Sequence, residues 1–425
     1  MQNVSEKNLI PVSSGRDWTS LPELVLAAIL DLLDCPMDYL SFLLVCTIWG
    51  CLAYSLWPLK RAKYRSLPDH YPMLLVGNNV YSLVTRTVMT TRSSGFKWPW
   101  WPNEFAHSTV IGSSFGWLIT YNPNAHEQIV MLNPQSTIVL ELSFKVIPGN
   151  ELDGFHPIKG ILSADPSNGH SDYVVAILFQ KPLSSLADAS KLMLLEVASD
   201  GTGGCSLLYN LGLVLDIACL KGKIYWLEKG FSIASATFGT VKRSRISLRI
   251  VSYDGQLRGE PPMIFTRYST AYIVERSGGG NPWLVMRYRV MRGEGAIMTV
   301  GFKVFEGLYS TTNRQGEISW RRVRKLQNNV MFLGRNSAFC IAGSSLRLLA
   351  TGRLEPNCIY YMDEPEITEN NNNDSNKNAI VPPDMGVFDV EKGCLGPFPF
   401  PEESKELLSD VMKFHGAPVW FTSKP

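Results

Sequence analysis

Residues 20–34 read SLPELVLAAILDLLD. Glu23, Asp31 and Asp34 are the charges in this stretch, and it is apolar nearly all the way round. Ser20 and Glu23 have the S-x-x-E spacing of a capping box, and Pro22 is placed for a first helical turn. Leu21, Leu24, Ala28, Ile29, Leu32 and Leu33 recur at helical spacing, while Leu26 and Leu30 lie off that stripe and are apolar too. Cys35-Pro36 should end the helix, because the residue before a proline avoids the α region. A helix apolar on two sides needs two partners. They come from the rest of the chain, from a membrane or from another protein.

Composition narrows the choice. The chain has 425 residues, enough for more than one domain. It carries 40 basic and 38 acidic residues, net +2, so charge offers no argument for nucleic acid or for an anionic membrane. Apolar residues make up 45% and aromatic residues 11%, which suits a folded chain and not a disordered one. Residues 1–16 are polar, lack the pattern of a secretory signal and are expected to form a disordered tail. The chain is therefore expected inside the cell, in cytoplasm or nucleus, with its eight cysteines reduced and acting as small apolar residues. No CxxC pair and no close histidine pair occurs, so neither a metal nor another cofactor is expected.

A second apolar segment, residues 39–57, has 19 residues without a charge and is followed by KRAKYR at 60–65. Its length and basic flank fit a transmembrane helix. Ser41, Cys46, Thr47, Gly50, Cys51, Tyr54 and Ser55 make it only moderately apolar, and the preceding capped helix favours a small helical bundle instead.

From about residue 70 the texture changes. Short runs rich in Val, Ile, Leu and aromatics recur between Gly, Pro, Asn, Asp and Ser clusters. Among them are GWLITY (116–121), QIVML (128–132), YVVAILF (173–179), KLMLLEVA (191–198), KIYWLE (223–228), PWLVMRYRV (282–290), MTVGFKVFE (298–306) and NCIYYMD (357–363). This is the pattern of an all-β domain, and its length suits a propeller of roughly six to eight blades of about 40–50 residues each. ENNNNDSNKNA (369–379) reads as a disordered insertion, near 366–380.

Three local motifs invite chemistry. GSSFG (112–116) matches the G-x-S-x-G of a hydrolase elbow, but a strand-like WLITY follows where a helix is required, so Ser114 is not assigned as a nucleophile. WRRVRKL (320–326) alternates as a charged edge strand would. KWPWWPNEF (97–105) sets Trp98, Trp100 and Trp101 in a proline-bounded loop, where they cover a core or face a target. No catalytic residue is expected.

Taken whole, residues 17–55 resemble an F-box. Trp18, Leu21-Pro22, Asp38, Val45-Cys46 and Trp49 carry the resemblance, and Thr47 and Gly50 depart from it, standing where many F-boxes have basic residues. The remainder resembles the plant F-box family whose C-terminal part is called domain of unknown function 295, a KIB-type β-propeller. GSSFGWLITYNP, VMLNPQS, GKIYWLEKG, VGFKVFE, ISWRRVRKLQNNVMFLGRNSAF, NCIYYMDE and MGVFDVEKG carry that likeness. The resemblance implies an α+β multidomain chain: an all-α F-box over 17–57, a linker over 58–69 and an all-β propeller over 70–425. It implies a non-catalytic adaptor of a ubiquitin ligase. The F-box would bind a Skp-type adaptor, and through it cullin and RING subunits, and the propeller would bind an unknown target protein. The residues it assigns to the adaptor are Leu21, Pro22, Leu24, Ile29, Leu30, Leu33, Val45, Cys46 and Trp49. The alternatives are a propeller anchored in a membrane by residues 39–57, or a stand-alone binding protein with a degenerate F-box.

Overall fold

A computed structural model describes residues 18–33, 39, 42–43, 45–66, 71–76, 79–83, 87–90, 109–122, 128–133, 138–143, 152, 154–167, 172–181, 190–198, 203–229, 231–239, 247–257, 269–276, 280–292, 296–309, 317–342, 354–363, 384–399 and 418–423. The chain divides into two compact units, residues 1–68 and 69–424. The 1–16 tail, the tryptophans of 97–105 and the 366–380 insertion lie outside the described residues.

In the first unit, helix α1 spans Glu23–Leu32. Its N-cap is Pro22, whose carbonyl accepts from the amides of Val25 and Leu26 at 2.9 and 3.1 Å. Ser20 is not the N-cap expected of an S-x-x-E box, because it belongs to a separate 3-10 turn, Trp18–Ser20, and the helix is capped two residues later. The helix also stops at Leu32, before Cys35, with Leu33 extended at the C-cap. Helix α2 spans Thr47–Ser66. It runs on through residues 58–66, where the sequence suggests a linker. Residues 45 and 46 are not helical and interrupt the 39–57 stretch. Among the described residues no helix is long and apolar enough to cross a membrane.

The second unit is a six-bladed β-propeller. Blade 1 holds β1 (Tyr71–Val76), β2 (Asn79–Ser82) and β3 (Thr87–Thr90); blade 2 holds β4 (Thr109–Ser114), β5 (Trp117–Tyr121), β6 (Gln128–Leu132) and β7 (Val139–Ser143). Blade 3 is β8 (His156–Leu162), β9 (Tyr173–Gln180), β10 (Ser190–Val197) and β11 (Gly203–Leu211). Blade 4 is β12 (Val214–Leu220), β13 (Lys223–Glu228), β14 (Ile233–Gly239) and β15 (Ser247–Leu257). Blade 5 is β16 (Thr270–Val274), β17 (Trp283–Arg292), β18 (Ala296–Tyr309) and β19 (Glu317–Val323). Blade 6 is β20 (Val330–Leu333), β21 (Ala338–Ile341), β22 (Cys358–Met362), β23 (Met385–Asp389) and β24 (Cys394–Gly396). The last strand, β25 (Val419–Ser423), returns to pair antiparallel with β1 and completes blade 1.

The apolar runs do not alternate because both faces of most blades are buried. In β9, Tyr173, Val175, Ile177 and Phe179 enter a core shared with blade 2, while Val174, Ala176 and Leu178 enter a core shared with blade 4. In β17, Trp283 and Val285 face blade 6 while Leu284 and Met286 face blade 4. Strands sandwiched in this way read as continuous apolar runs. The outer strands β15 and β19 pair in parallel over Asp254–Leu257 and Glu317–Trp320. Trp320 is the last residue of that ladder, and Arg321, Arg322 and Val323 pair with β18 alone among the described residues, so the charged part of WRRVRKL is an edge, as its alternation suggests. Arg321 pairs with Glu306, and Arg322 lies over the Phe305 ring.

The GSSFG motif is explained by packing. A Cβ on Gly112 would meet the Gly160 carbonyl oxygen at 1.9 Å, so β4 and β8 can approach only with glycine there. Phe115 and Gly116 have φ of 54° and 81°, as a type I′ turn requires, and they join β4 directly to β5. Ser114 Oγ accepts from the Leu162 amide at 3.2 Å.

The inner strands are clasped to one another by polar groups. Ser113 Oγ donates to the Trp420 carbonyl (2.5 Å), and Trp117 Nε1 donates to Asp165 (3.2 Å). Lys159 pairs with Asp216 at 2.7 Å, and the Ile273 amide donates to the other Asp216 oxygen at 2.8 Å, so blades 3, 4 and 5 meet at one carboxylate. Burial pushes the Asp216 carboxyl above its usual value, while Lys159 and the Ile273 and Ile217 amides pull it back. Arg287, fully buried, pairs with Asp363 (3.0 Å) and Asp384 (2.8 Å) between blades 5 and 6. Burial alone would lower its pKa, but Asp363, Tyr272 and Asp384 outweigh that and raise it. Trp420 closes the circle: its amide donates to Ser337 Oγ (3.1 Å) and its indole to the Leu333 carbonyl (3.2 Å).

Two substitutions test this ring. Trp420→Ala should cost about 3–5 kcal/mol through the lost buried ring. Asp216→Asn should cost about 3–5 kcal/mol by leaving Lys159 buried without its counter-charge. Urea unfolding of the full chain, read by tryptophan fluorescence, measures both; a cost below about 1 kcal/mol for either would remove that clasp from the account.

Candidate functional site

The first unit has its own core of Leu26, Leu30, Tyr39, Phe42, Trp49, Leu52 and Ala53. The Trp49 ring lies 4.5 Å from that of Phe42, and its Nε1 donates to the Trp18 carbonyl at 3.2 Å. The Tyr39 hydroxyl donates to the Ala53 carbonyl, and burial pushes its pKa up to about 12. A Cβ on Gly50 would sit 3.0 Å from the Leu43 carbonyl oxygen, so a small residue lets α2 pass close to the segment before it. That is a packing reason for one of the two departures from the F-box pattern.

This core sorts the apolar residues of α1 into two faces. Leu26 and Leu30 are both 0% exposed. Leu24 and Leu32 are 84% and 81% exposed, and Ala28 between them is exposed as well, an i, i+4, i+8 stripe turned outward. On α2, Ile48, Cys51 and Tyr54 are exposed at similar spacing, with Val45 just ahead of the helix. Seven of the thirteen large apolar side chains exposed among the described residues lie on this small unit, so its surface is the candidate binding site.

The nine residues expected at an adaptor interface separate accordingly. Pro22, Leu24 and Val45 are exposed. Leu21, Ile29, Leu33 and Cys46 are half-buried against the core. Leu30 and Trp49 are inside it, so Trp49 props the unit from within and is not an exposed anchor. Leu32, Ile48, Tyr54, Val25 and Trp18 are exposed and were not among the nine. Both stripes of α1 repeat every four residues, so periodicity has no means of telling the inward one from the outward one. Of the six cysteines whose side chains are described, all free, Cys358 is buried while Cys51 and Cys394 are exposed, so the reading of cysteines as buried apolar residues does not hold throughout.

A family model for the KIB1-4 beta-propeller matches residues 80–389, and the chain belongs to that family. Along 96% of both chains it is 22% identical to the F-box protein SKIP23 of Arabidopsis thaliana. The N-terminal helices fit a small F-box region, ahead of the KIB-type propeller. Among solved structures, the allergen Mala s 1 of Malassezia sympodialis matches with a TM-score of 0.28 and 10% identity, covering 74% of this chain and 91% of that one. A Synechocystis apocarotenoid oxygenase mutant matches with a TM-score of 0.26 and 10% identity, covering 68% and 58%. Scores this low carry no functional argument.

The two faces of α1 make opposite demands on mutation. Leu30→Ala should destabilise the N-terminal unit by about 2–5 kcal/mol, and Leu24→Ala by less than about 0.5 kcal/mol. Helical circular dichroism on thermal unfolding distinguishes them, and equal effects would mean that the faces are assigned wrongly.

Proposed function

We propose that the chain is the substrate-recognition subunit of a Skp–cullin–F-box type ubiquitin ligase. Residues 17–57 act as the F-box and residues 70–425 as the target-binding propeller. The observation that carries this reading is the outward apolar stripe Leu24-Ala28-Leu32 on a helix whose other face already has a complete core. Full-length similarity to an F-box protein supports it. An exposed aliphatic patch of this kind is costly in water and is covered in a complex. The Skp-type adaptor covers it and links the chain to cullin and RING subunits.

The chain makes and breaks no bonds in this scheme. It holds a target near a ubiquitin-charged enzyme, and its contribution is effective concentration and orientation. It works inside the cell, in cytoplasm or nucleus, where the adaptor and the ligase subunits are found.

Capture of a plant Skp-type adaptor by the full chain tests the assignment. Leu24→Asp with Leu32→Asp should weaken capture at least about tenfold while leaving the thermal unfolding curve in place, because neither side chain belongs to the core. Undiminished capture by that double variant would rule out the stated surface. No capture by the unmodified chain would leave a stand-alone binding protein.

A further inference from the structure

A cleft opens between blades 4 and 5. One wall is the turn joining β12 to β13, where Lys221 and Gly222 have φ of 51° and 74°. The other wall is Glu275 and Arg276, just past the end of β16, with Leu220, Tyr225 and Pro282 completing an apolar floor. The Lys221 amide donates to the Glu275 carboxylate at 3.0 Å, which ties the two walls together. The cavity volume is about 60 Å³. A cavity that holds benzene is about 150 Å³, so the group this one takes is short.

Arg276 is held in this cleft without being neutralised. Its guanidinium lies over the Trp283 ring, 5.7 Å from the ring centre. Gly280 lies close against its stem, since a Cβ there would come within 3.3 Å of Arg276 Cδ. One guanidinium N–H donates to Gln327. The nearest carboxylate, Glu306, bonds to Arg321 at 2.6 Å and reaches Arg276 only at 3.7 Å. One carboxylate therefore serves two guanidiniums. A guanidinium has five N–H donors, so Arg276 keeps several for a further acceptor. Its side chain is 27% exposed, within reach of a partner yet partly withdrawn from water.

The surrounding charge determines what that acceptor is. Lys221 is exposed, and so is Lys223, which stands two residues before Tyr225 on the same face of β13. Among the described residues neither lysine has an ion-pair partner. The cleft therefore draws an anion. Glu275 in the wall limits how much negative charge it accepts, because a phosphate dianion is repelled about twice as strongly as a carboxylate at the same distance. A short, singly charged anion is a carboxylate.

We propose that this cleft is a target-docking subsite that takes the carboxylate of a Glu or Asp side chain in an acidic segment of the target protein. Arg276 is its hydrogen-bonding partner, and Lys221 and Lys223 attract the segment that carries it. This rests on the reading of the propeller as the target-binding part. Stacking holds Arg276 in place before the carboxylate arrives, so little side-chain freedom is lost on binding, and the exposed lysines act mainly on the association rate.

The test pans the full chain against short phage-displayed random peptides and titrates the enriched ones by fluorescence anisotropy. Arg276→Gln and the double variant Lys221→Gln, Lys223→Gln serve as comparisons, with thermal melts as folding controls. The expected peptides share an acidic residue, and Gln or Asn in its place weakens binding at least about tenfold. Arg276→Gln should cause a loss of similar size, and the two changes together should cost no more than either alone, as for a direct pair. The lysine variant should weaken binding about threefold to tenfold and reduce its dependence on salt. Peptide substitution and the lysine variant keep the test decisive if Arg276→Gln melts early. Peptides without a shared acidic residue, or losses that simply add, would overturn the inference. Tighter binding with phosphoserine in place of the acidic residue would overturn the choice of a carboxylate. Adaptor capture by Arg276→Gln separates the two readings. Capture without acid-dependent peptides sinks the cleft and leaves the ligase subunit standing, and acid-dependent peptides without capture do the reverse.

Discussion

The propeller depends on one closing strand. β25 comes from the C-terminus and pairs with β1 at the other end of the unit, so blade 1 exists only when the two chain ends of the propeller meet. Trp420 concentrates that dependence. It is fully buried, pairs with Leu74 across the sheet and stacks near Phe332 and Phe398. Its amide, carbonyl and indole nitrogen all bond to blades 2 and 6. The entropy of closing so long a loop is met by a contact that is apolar, aromatic and hydrogen-bonded at once.

Around the same axis the blades are joined by buried charge as well as by apolar surface. Asp216 bonds to a lysine on one neighbouring blade and an amide on the other. Arg287 bonds to the residues on either side of the 364–383 connection, Asp363 and Asp384, and lies 4.7 Å from the Tyr361 ring centre. Tyr361 has its own pKa pushed up to about 12, mainly by burial. Such groups add little net stability over well-packed apolar residues, but removing one partner is expensive.

The N-terminal unit solves a different problem. A small unit has little interior, and α1 uses half of its apolar residues for that interior and leaves the other half outside. Leu26 and Leu30 hold the fold; Leu24 and Leu32 are available to a partner. A helix built this way gives one face to the fold and leaves the other outward.

Much of this was legible from residue order. The run KIYWLE is β13 and QIVML is β6, because β-branched and aromatic residues between turn formers have few other solutions. The Leu-Pro helix and its two-sided apolar character were likewise plain, and the motifs pointed to an F-box ahead of a KIB-type propeller. What stayed hidden was anything decided by residues far apart in the chain. The S-x-x-E spacing suggested a cap that the helix start did not use, and the parallel pairing of β15 with β19 joins residues some 60 positions apart with no local signal. The blade count, the strand that closes the ring and the inward stripe of α1 all depend on which surfaces meet. Local pattern specifies that a face is apolar, and only packing in three dimensions selects its partner.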